Sequence, residues 1–232
     1  MKKIDIKGVI ISNDHKQAYD FYEVESTCPN DVIGQLNSGE DVEIVINSGG
    51  GNVFSGSEIY TALKEHNGEV ITKIPSFAGS SASIIAMAGD KVLMSPTAQM
   101  MIHNVSVQNQ GDYRTMEHTA EVLKNANETI ANAYTIKTGL SHDEILKMMN
   151  NETWLSPQKA LELGFIDEIM FSDKQQSNLQ LVASTYQVAM LPEKLIEQFN
   201  KNKVDSLQSN EVDFLLPKLQ AQLQLLKLKE IK

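Results

Sequence analysis

The 232-residue chain reads as an α/β protein in which helices cover a sheet, and three observations predict it. Short apolar, β-branched runs alternate with amphipathic or apolar helical stretches along the first 170 residues. Glycines such as Gly39, Gly139 and Gly164 and a capping residue such as Ser141 mark where runs end or begin. Beyond Phe171 the composition changes: glycine disappears, Gln and Asn rise, and the strand pattern does not recur.

The elements follow in order. "IDIKGVII" (4–11) and "YDFYEV" (19–24) read as strands rich in branched and aromatic residues. "TCPNDVIGQLNSGE" predicts a helix capped at Asn30 or Asp31 and stopped by Gly39, and "DVEIVIN" (41–47) a compact strand. Consecutive glycines in "SGGGN" predict a turn, and a helix follows from about Ser55 to His66. "EVITKIPS" is a strand, "SASIIAMAG" a helix apolar nearly all round and therefore buried, and "KVLMSP" and "AQMMIHNV" two more strands. A long helix runs from Tyr113 to Thr138 with Gly139 as its stop, and Ser141 caps a short helix to Met149. "SPQKALELG" is a capped helix ending at Gly164, before a last strand, "FIDEIMF". These features divide the chain into an enzyme-like domain, 1–173, and a helical or partly disordered extension, 174–232, in which "PEKLIEQFNKN" and the Leu-spaced "EVDFLLPKLQAQLQLLKLKEIK" have helical periodicity.

Thirty acidic against twenty basic residues give a net charge of −10, which argues against a nucleic-acid surface. One cysteine, Cys28, excludes a disulfide framework and a Cys-cluster zinc site, and fits a reducing cytoplasm. The early charges Asp5 and Lys7 break any signal-peptide core, and no stretch of eighteen apolar residues is present to span a membrane. No H-x-x-x-H or H-E-x-x-H spacing suggests a metal, and neither G-x-G-x-x-G nor a phosphate loop suggests a nucleotide, so no cofactor is expected.

The chemistry concentrates in "SFAGSSASIIAMAGD" (76–90). Ser80 and Ser81 straddle the entry to the buried helix, where a hydroxyl is either an N-cap or a nucleophile beside unpaired backbone N–H groups. "INSGGGNVFSG" places bare backbone between a strand and a helix, either a tight turn or a source of oxyanion donors. Of five histidines, only His103 ends an apolar strand, where a general base could be held.

Together "INSGGGNVFSGSEIY", "AGSSASIIAMAGD", "MMIHN" and "NETWLSPQKALELGFIDEI", in this order over about residues 5–170, resemble the Clp-type serine peptidases, and more closely their bacteriophage branch, the Clp-like head maturation (prohead) proteases. The resemblance implies a Clp peptidase and crotonase-like spiral of stacked strand–helix units with a helical C-terminal extension. It implies Ser80 as nucleophile, His103 as base and Glu152 as the acid that orients it, with Ser81 and either Gly50 or Gly51 supplying oxyanion N–H groups. It also implies substrate added as a strand along the Gly-rich edge, and a homo-oligomeric ring with the 113–138 helix between subunits. The expected role is capsid or scaffold processing in an assembling head, in the cytoplasm of a bacterial host. The alternatives are a housekeeping proteolytic subunit fed by an ATP-dependent unfoldase, a catalytically silent ring or scaffold component, or a crotonase-like acyl-CoA enzyme, which needs no Ser–His pair. Two departures stand out. Ser48-Gly49-Gly50-Gly51 replaces the more frequent S-P-G-G, and Glu152 stands where many relatives have Asp.

Overall fold

A computed structural model describes residues 1–172 together with Lys194 and Leu195. The helices expected in the 174–232 extension otherwise lie outside the described residues.

The first strand, β1 (Lys2–Ile10), shows period-two burial: Ile4 and Ile6 point inward while Lys3 and Asp5 face out. The chain then makes a 3-10 turn at Asn13–His15 and enters a helix, α1 (Lys16–Phe21). This corrects the strand expected at 19–24. Tyr and Phe favour strands in isolation, but Ala18, Tyr19 and Tyr22 fall on one helical face and bury together with Val9, Ile11, Cys28 and Leu195. Lys16 and Asp20, one turn apart, pair at 3.0 Å.

A two-residue strand, β2 (Ser26–Thr27), leads into α2 (Pro29–Ile33). The helix is shorter than expected and starts earlier. Cys28 is its N-cap with Asp31 closing a capping box, Pro29 occupies the first turn, and Gly34 ends it. Burial pushes the Cys28 thiol above its ordinary pKa, which makes it a poor nucleophile.

The strand β3 (Val42–Gly51) continues straight through the glycines expected to form a turn. Its inward alternation of Val42, Ile44 and Ile46 extends to Ser48 and Gly50. Partners on both sides keep it in the sheet: Gly50 and Gly51 pair with Val9 and Ile10 of β1, and Ser48 pairs with Ala78. Pairing and alternation outweigh the poor strand propensity of glycine. Asn52 then caps α3 (Val53–Lys64), its side chain accepting the Ser55 N–H at 2.8 Å.

The next elements are β4 (Val70–Ile74), a short strand β5 (Phe77–Gly79), and α4 (Ser81–Ala86), all six residues of which are buried as the apolar pattern predicts. Then come β6 (Lys91–Met94) and β7 (Gln99–Ile102). The helix α5 (Tyr113–Thr138) has the expected bounds, capped by Asp112 and stopped by Gly139 at φ 73°. Ser141 caps α6 (His142–Asn150) through a capping box with Glu144. A strand not anticipated, β8 (Thr153–Leu155), precedes α7 (Pro157–Glu162), and only Glu168–Ile169 of the last expected strand pair, as β9.

The sheet runs β8-β7-β5-β3-β4-β6-β9, with β1 and β2 attached beside β3. Its pairs are parallel except β7 with β8. One apolar core joins Ile44, Ile46 and Ala78 of the sheet to Ile85 of α4, Ile130 and Tyr134 of α5, and Phe165. Each fully buried Ile or Leu contributes about 1.5–3 kcal/mol relative to exposure. The mixed α/β architecture predicted from the sequence is the one observed. Among the described residues no helix is long and apolar enough to cross a membrane.

Candidate active site

The site forms where β5 ends, β7 ends and α4 begins. Ser80 joins β5 to α4 with φ 53° and ψ −128°, a conformation a residue with a Cβ rarely adopts. Such strain costs on the order of 1–3 kcal/mol and persists only where neighbours enforce it. Here the Ser80 N–H donates to Met101 O of β7 at 2.9 Å, and Ser80 O accepts the Ser83 N–H at 2.9 Å and the Ser83 hydroxyl at 2.6 Å. The Ser83 hydroxyl also bonds the buried Tyr134 hydroxyl at 2.8 Å, which anchors the turn to α5. Ser80 makes no side-chain cap on α4, so its hydroxyl is left for another partner.

That partner is His103. Its Nε2 stands 2.8 Å from Ser80 Oγ. The two residues are 23 positions apart and meet because β5 and β7 are paired in parallel, with Gly79 beside Met101. Burial holds the His103 pKa below its ordinary value, opposed by the charge of Glu152, which raises it. The ring is therefore neutral at pH 7. For Nε2 to accept a hydroxyl proton, the ring's own proton must sit on Nδ1.

Glu152 lies in the turn between α6 and β8, at φ 45° and exposed to solvent. Its field reaches His103, but its hydrogen bond among the described residues goes elsewhere: Trp154 Nε1 donates to Glu152 Oε1 at 3.3 Å. Asp167, the other acid near this end of the chain, has a different use. Its Oδ2 accepts the Val92 N–H at 2.7 Å and pairs with Lys137 at 2.7 Å, tying β6 to α5.

The two glycines left open by the sequence differ in space. A Cβ on Gly50 would sit 2.7 Å from Gly79 O and Ser80 Cβ and 2.9 Å from Ser81 N, so this residue packs directly on the serine turn. A Cβ on Gly51 would instead strike the Ile10 backbone. The Gly50 N–H donates to Ser48 Oγ at 3.0 Å, and that hydroxyl donates to Gly8 O at 2.6 Å. Ser81 is the first residue of α4, where a backbone N–H has no intrahelical acceptor.

Three further side chains belong to this site. In the sequence Ser48 reads only as part of a turn and nothing marks Phe77, whereas Trp154 carries a signal: it is the chain's sole tryptophan and lies two residues after Glu152. Among the described residues no three His, Cys, Asp or Glu side chains group as metal ligands. A neutral imidazole in contact with a hydroxyl on a strained turn can deprotonate that hydroxyl, and adjacent backbone donors can take negative charge from a carbonyl under attack.

Comparison with known proteins supplies the lineage. The Clp protease family pattern matches residues 22–173. An ATP-dependent Clp protease proteolytic subunit of Deinococcus radiodurans is 30% identical over 155 residues, covering 63% of this chain and 76% of the relative. One from Mesostigma viride is 31% identical over 173 residues, 68% of this chain and 76% of the relative. One from Bacteroides fragilis is 30% identical over 140 residues, 60% of this chain and 68% of the relative. With two thirds of its length under the family pattern, the chain belongs to the Clp protease family and is a serine-type peptidase.

Proposed function

We propose that the chain is the proteolytic subunit of an ATP-dependent Clp-type protease, with Ser80 as nucleophile, His103 as general base and Glu152 as the acid that supports it. The observation that carries this reading is the 2.8 Å contact between His103 Nε2 and Ser80 Oγ on the strained turn. Ser80 Oγ attacks the scissile carbonyl carbon while its proton passes to His103 Nε2. The oxyanion accepts from the Ser81 N–H and from a glycine of β3. Gly50 is the glycine set against the serine turn, and its N–H must exchange Ser48 Oγ for the oxyanion. Collapse returns the proton to the leaving amine and leaves an acyl-Ser80, which water hydrolyses by the same proton path.

Substrate in this reading is polypeptide laid as an added strand along the glycine edge. Residues 1–173 form the peptidase domain and assemble into a homo-oligomeric ring. The exposed N-terminal half of α5, with Tyr113, Met116 and Val122 facing solvent, is the surface offered to neighbouring subunits. In this reading an ATP-driven unfoldase supplies the substrate; the relatives are named ATP-dependent, which supports the need for ATP. Head maturation is the second reading, favoured by one observation: residues 174–232 continue past the family match with a Gln-rich, Leu-spaced sequence suited to docking on capsid or scaffold proteins.

The test combines labelling with substrate assays. A fluorophosphonate should modify Ser80 alone, and Ser80→Ala should abolish cleavage without unfolding the chain; activity surviving in Ser80→Ala removes the nucleophile assignment. Degradation of a folded protein substrate should require ATP and an unfoldase. ATP-independent, limited cleavage of co-expressed capsid or scaffold proteins, lost when the chain stops after Asp173, would replace the first reading with the second.

A further inference from the structure

We propose that Trp154 is a positioning residue for the acid of this site: its indole N–H holds one oxygen of Glu152 and leaves the other to serve His103. The proposal rests on Glu152 serving as the acid. Three ties converge on the turn that carries it. The indole Nε1 donates to Glu152 Oε1 at 3.3 Å. The indole ring stacks on Phe77, with centroids 5.5 Å apart and planes at 12°. Asn104, the residue after His103, donates from Nδ2 to Asn150 Oδ1 at 2.8 Å, fastening the end of α6 to the end of β7.

The strand register explains why the indole is available there. In the antiparallel pair of β7 and β8, Trp154 lies opposite Met101, whose carbonyl accepts the Ser80 N–H. Phe77 sits on β5 three residues before Ser80 and packs over Gly79, where a Cβ would come within 2.6 Å of its ring. The Phe77–Trp154 stack thus spans β7 and refers the acid to the same strand end that presents the nucleophile. The tie between Asn104 and Asn150 holds the acid's turn against the base's strand, and the left-handed φ of Glu152 is kept in place from both sides.

A longer acid needs such a device. Glu has one more rotatable bond than Asp, and Glu152 is exposed, so an untethered carboxylate would spread over several rotamers. A donor on Oε1 removes that freedom and leaves Oε2 for the imidazole. Glu152 is the charge that raises the His103 pKa, so a carboxylate loosened from the indole would support the imidazolium less.

The experiment is a double-mutant cycle on the full-length protein, following peptide hydrolysis against pH in the wild type, Trp154→Phe, Glu152→Gln and the double variant. Phenylalanine keeps the stack on Phe77 and deletes only the donor. Trp154→Phe is expected to lower kcat about three- to tenfold with KM unchanged and to move the acid limb of the profile to lower pH. Both effects are expected to vanish in the Glu152→Gln background. Wild-type kcat and profile in Trp154→Phe, with Glu152→Gln impaired, overturn the indole's role while leaving the acid's intact. An undiminished loss in the Glu152→Gln background overturns it too, since the ring would then act by packing alone. Wild-type activity in Glu152→Gln removes the acid and the proposal together. Should Trp154→Phe fail to fold, the sole indole N–H resonance of the protein gives the answer: it should move upfield in Glu152→Ala, and an unmoved resonance overturns the proposal.

Discussion

Replacing Gly50 with alanine separates backbone strain from displacement of the nucleophile. Gly50 has φ 93°, and an added Cβ would meet Gly79 O and Ser80 Cβ at 2.7 Å. That is about 0.8 Å short of ordinary van der Waals contact at roughly 3.5 Å, and none of the struck atoms is the far end of a flexible chain. The turn bearing Ser80 must give way, and it is tied to Met101 and Ser83 by three hydrogen bonds. Strain at such a φ costs about 1–3 kcal/mol, or roughly 2–4 °C of Tm per kcal/mol at this chain length. A nucleophile displaced by most of an ångström costs about 30- to 100-fold in kcat. Gly139 is the control: at φ 73° it carries similar strain, but a Cβ there meets nothing within 4 Å. The assay is thermal unfolding beside peptide hydrolysis for both variants. Gly139→Ala should lose about 1 kcal/mol of stability and keep its kcat, while Gly50→Ala should lose both. A Gly50→Ala protein with kcat within twofold of wild type would refute the argument that this glycine exists to let β3 approach the serine turn.

Further outcomes follow from the same geometry. Glu152→Gln should lower kcat about tenfold or more; with the raising charge gone, the His103 pKa falls further and the acid limb of the pH–rate profile moves to lower pH, which a pH series reads directly. An acid limb displaced to higher pH would contradict the charge assignment. Asp167→Asn should weaken the ties to Lys137 and Val92 and cost about 1 kcal/mol, discounted because the carboxylate is partly exposed; melting should reveal it while kcat stays unchanged. Ser83→Ala strands the Tyr134 hydroxyl in the core, a loss of about 1–3 kcal/mol by denaturant titration.

The features the sequence determined by itself are those whose causes are local. The α5 helix begins at Tyr113 because the Asp112 side chain accepts the Thr115 N–H, and ends at Thr138 because Gly139 can take φ 73°. Ser141 and Glu144 form the capping box that starts α6, and the apolar run after Ser81 is buried as its composition demands. The candidate nucleophile, base and acid were legible through ordered motifs, each of which keeps its meaning without coordinates. Whatever depends on a partner strand was not legible. Residues 19–24 carry strand-forming aromatics, yet the chain is helical to Phe21 and capped by Tyr22, because Tyr19 and Tyr22 bury in a cluster with Val9, Ile11 and Leu195. Glycines 49–51 read as a turn, yet β1 pairs with Gly50 and Gly51, and β5 pairs with the adjoining Ser48, so the strand runs on through them. Ser80 and His103 stand 23 residues apart and touch only through the register of β5 with β7. The placement of β8 and β5 on either side of β7 decides that the Trp154 indole stacks on Phe77. Caps and burial patterns act over one or two turns of chain, whereas pairing and packing join residues whose separation in sequence carries no information about their distance in space.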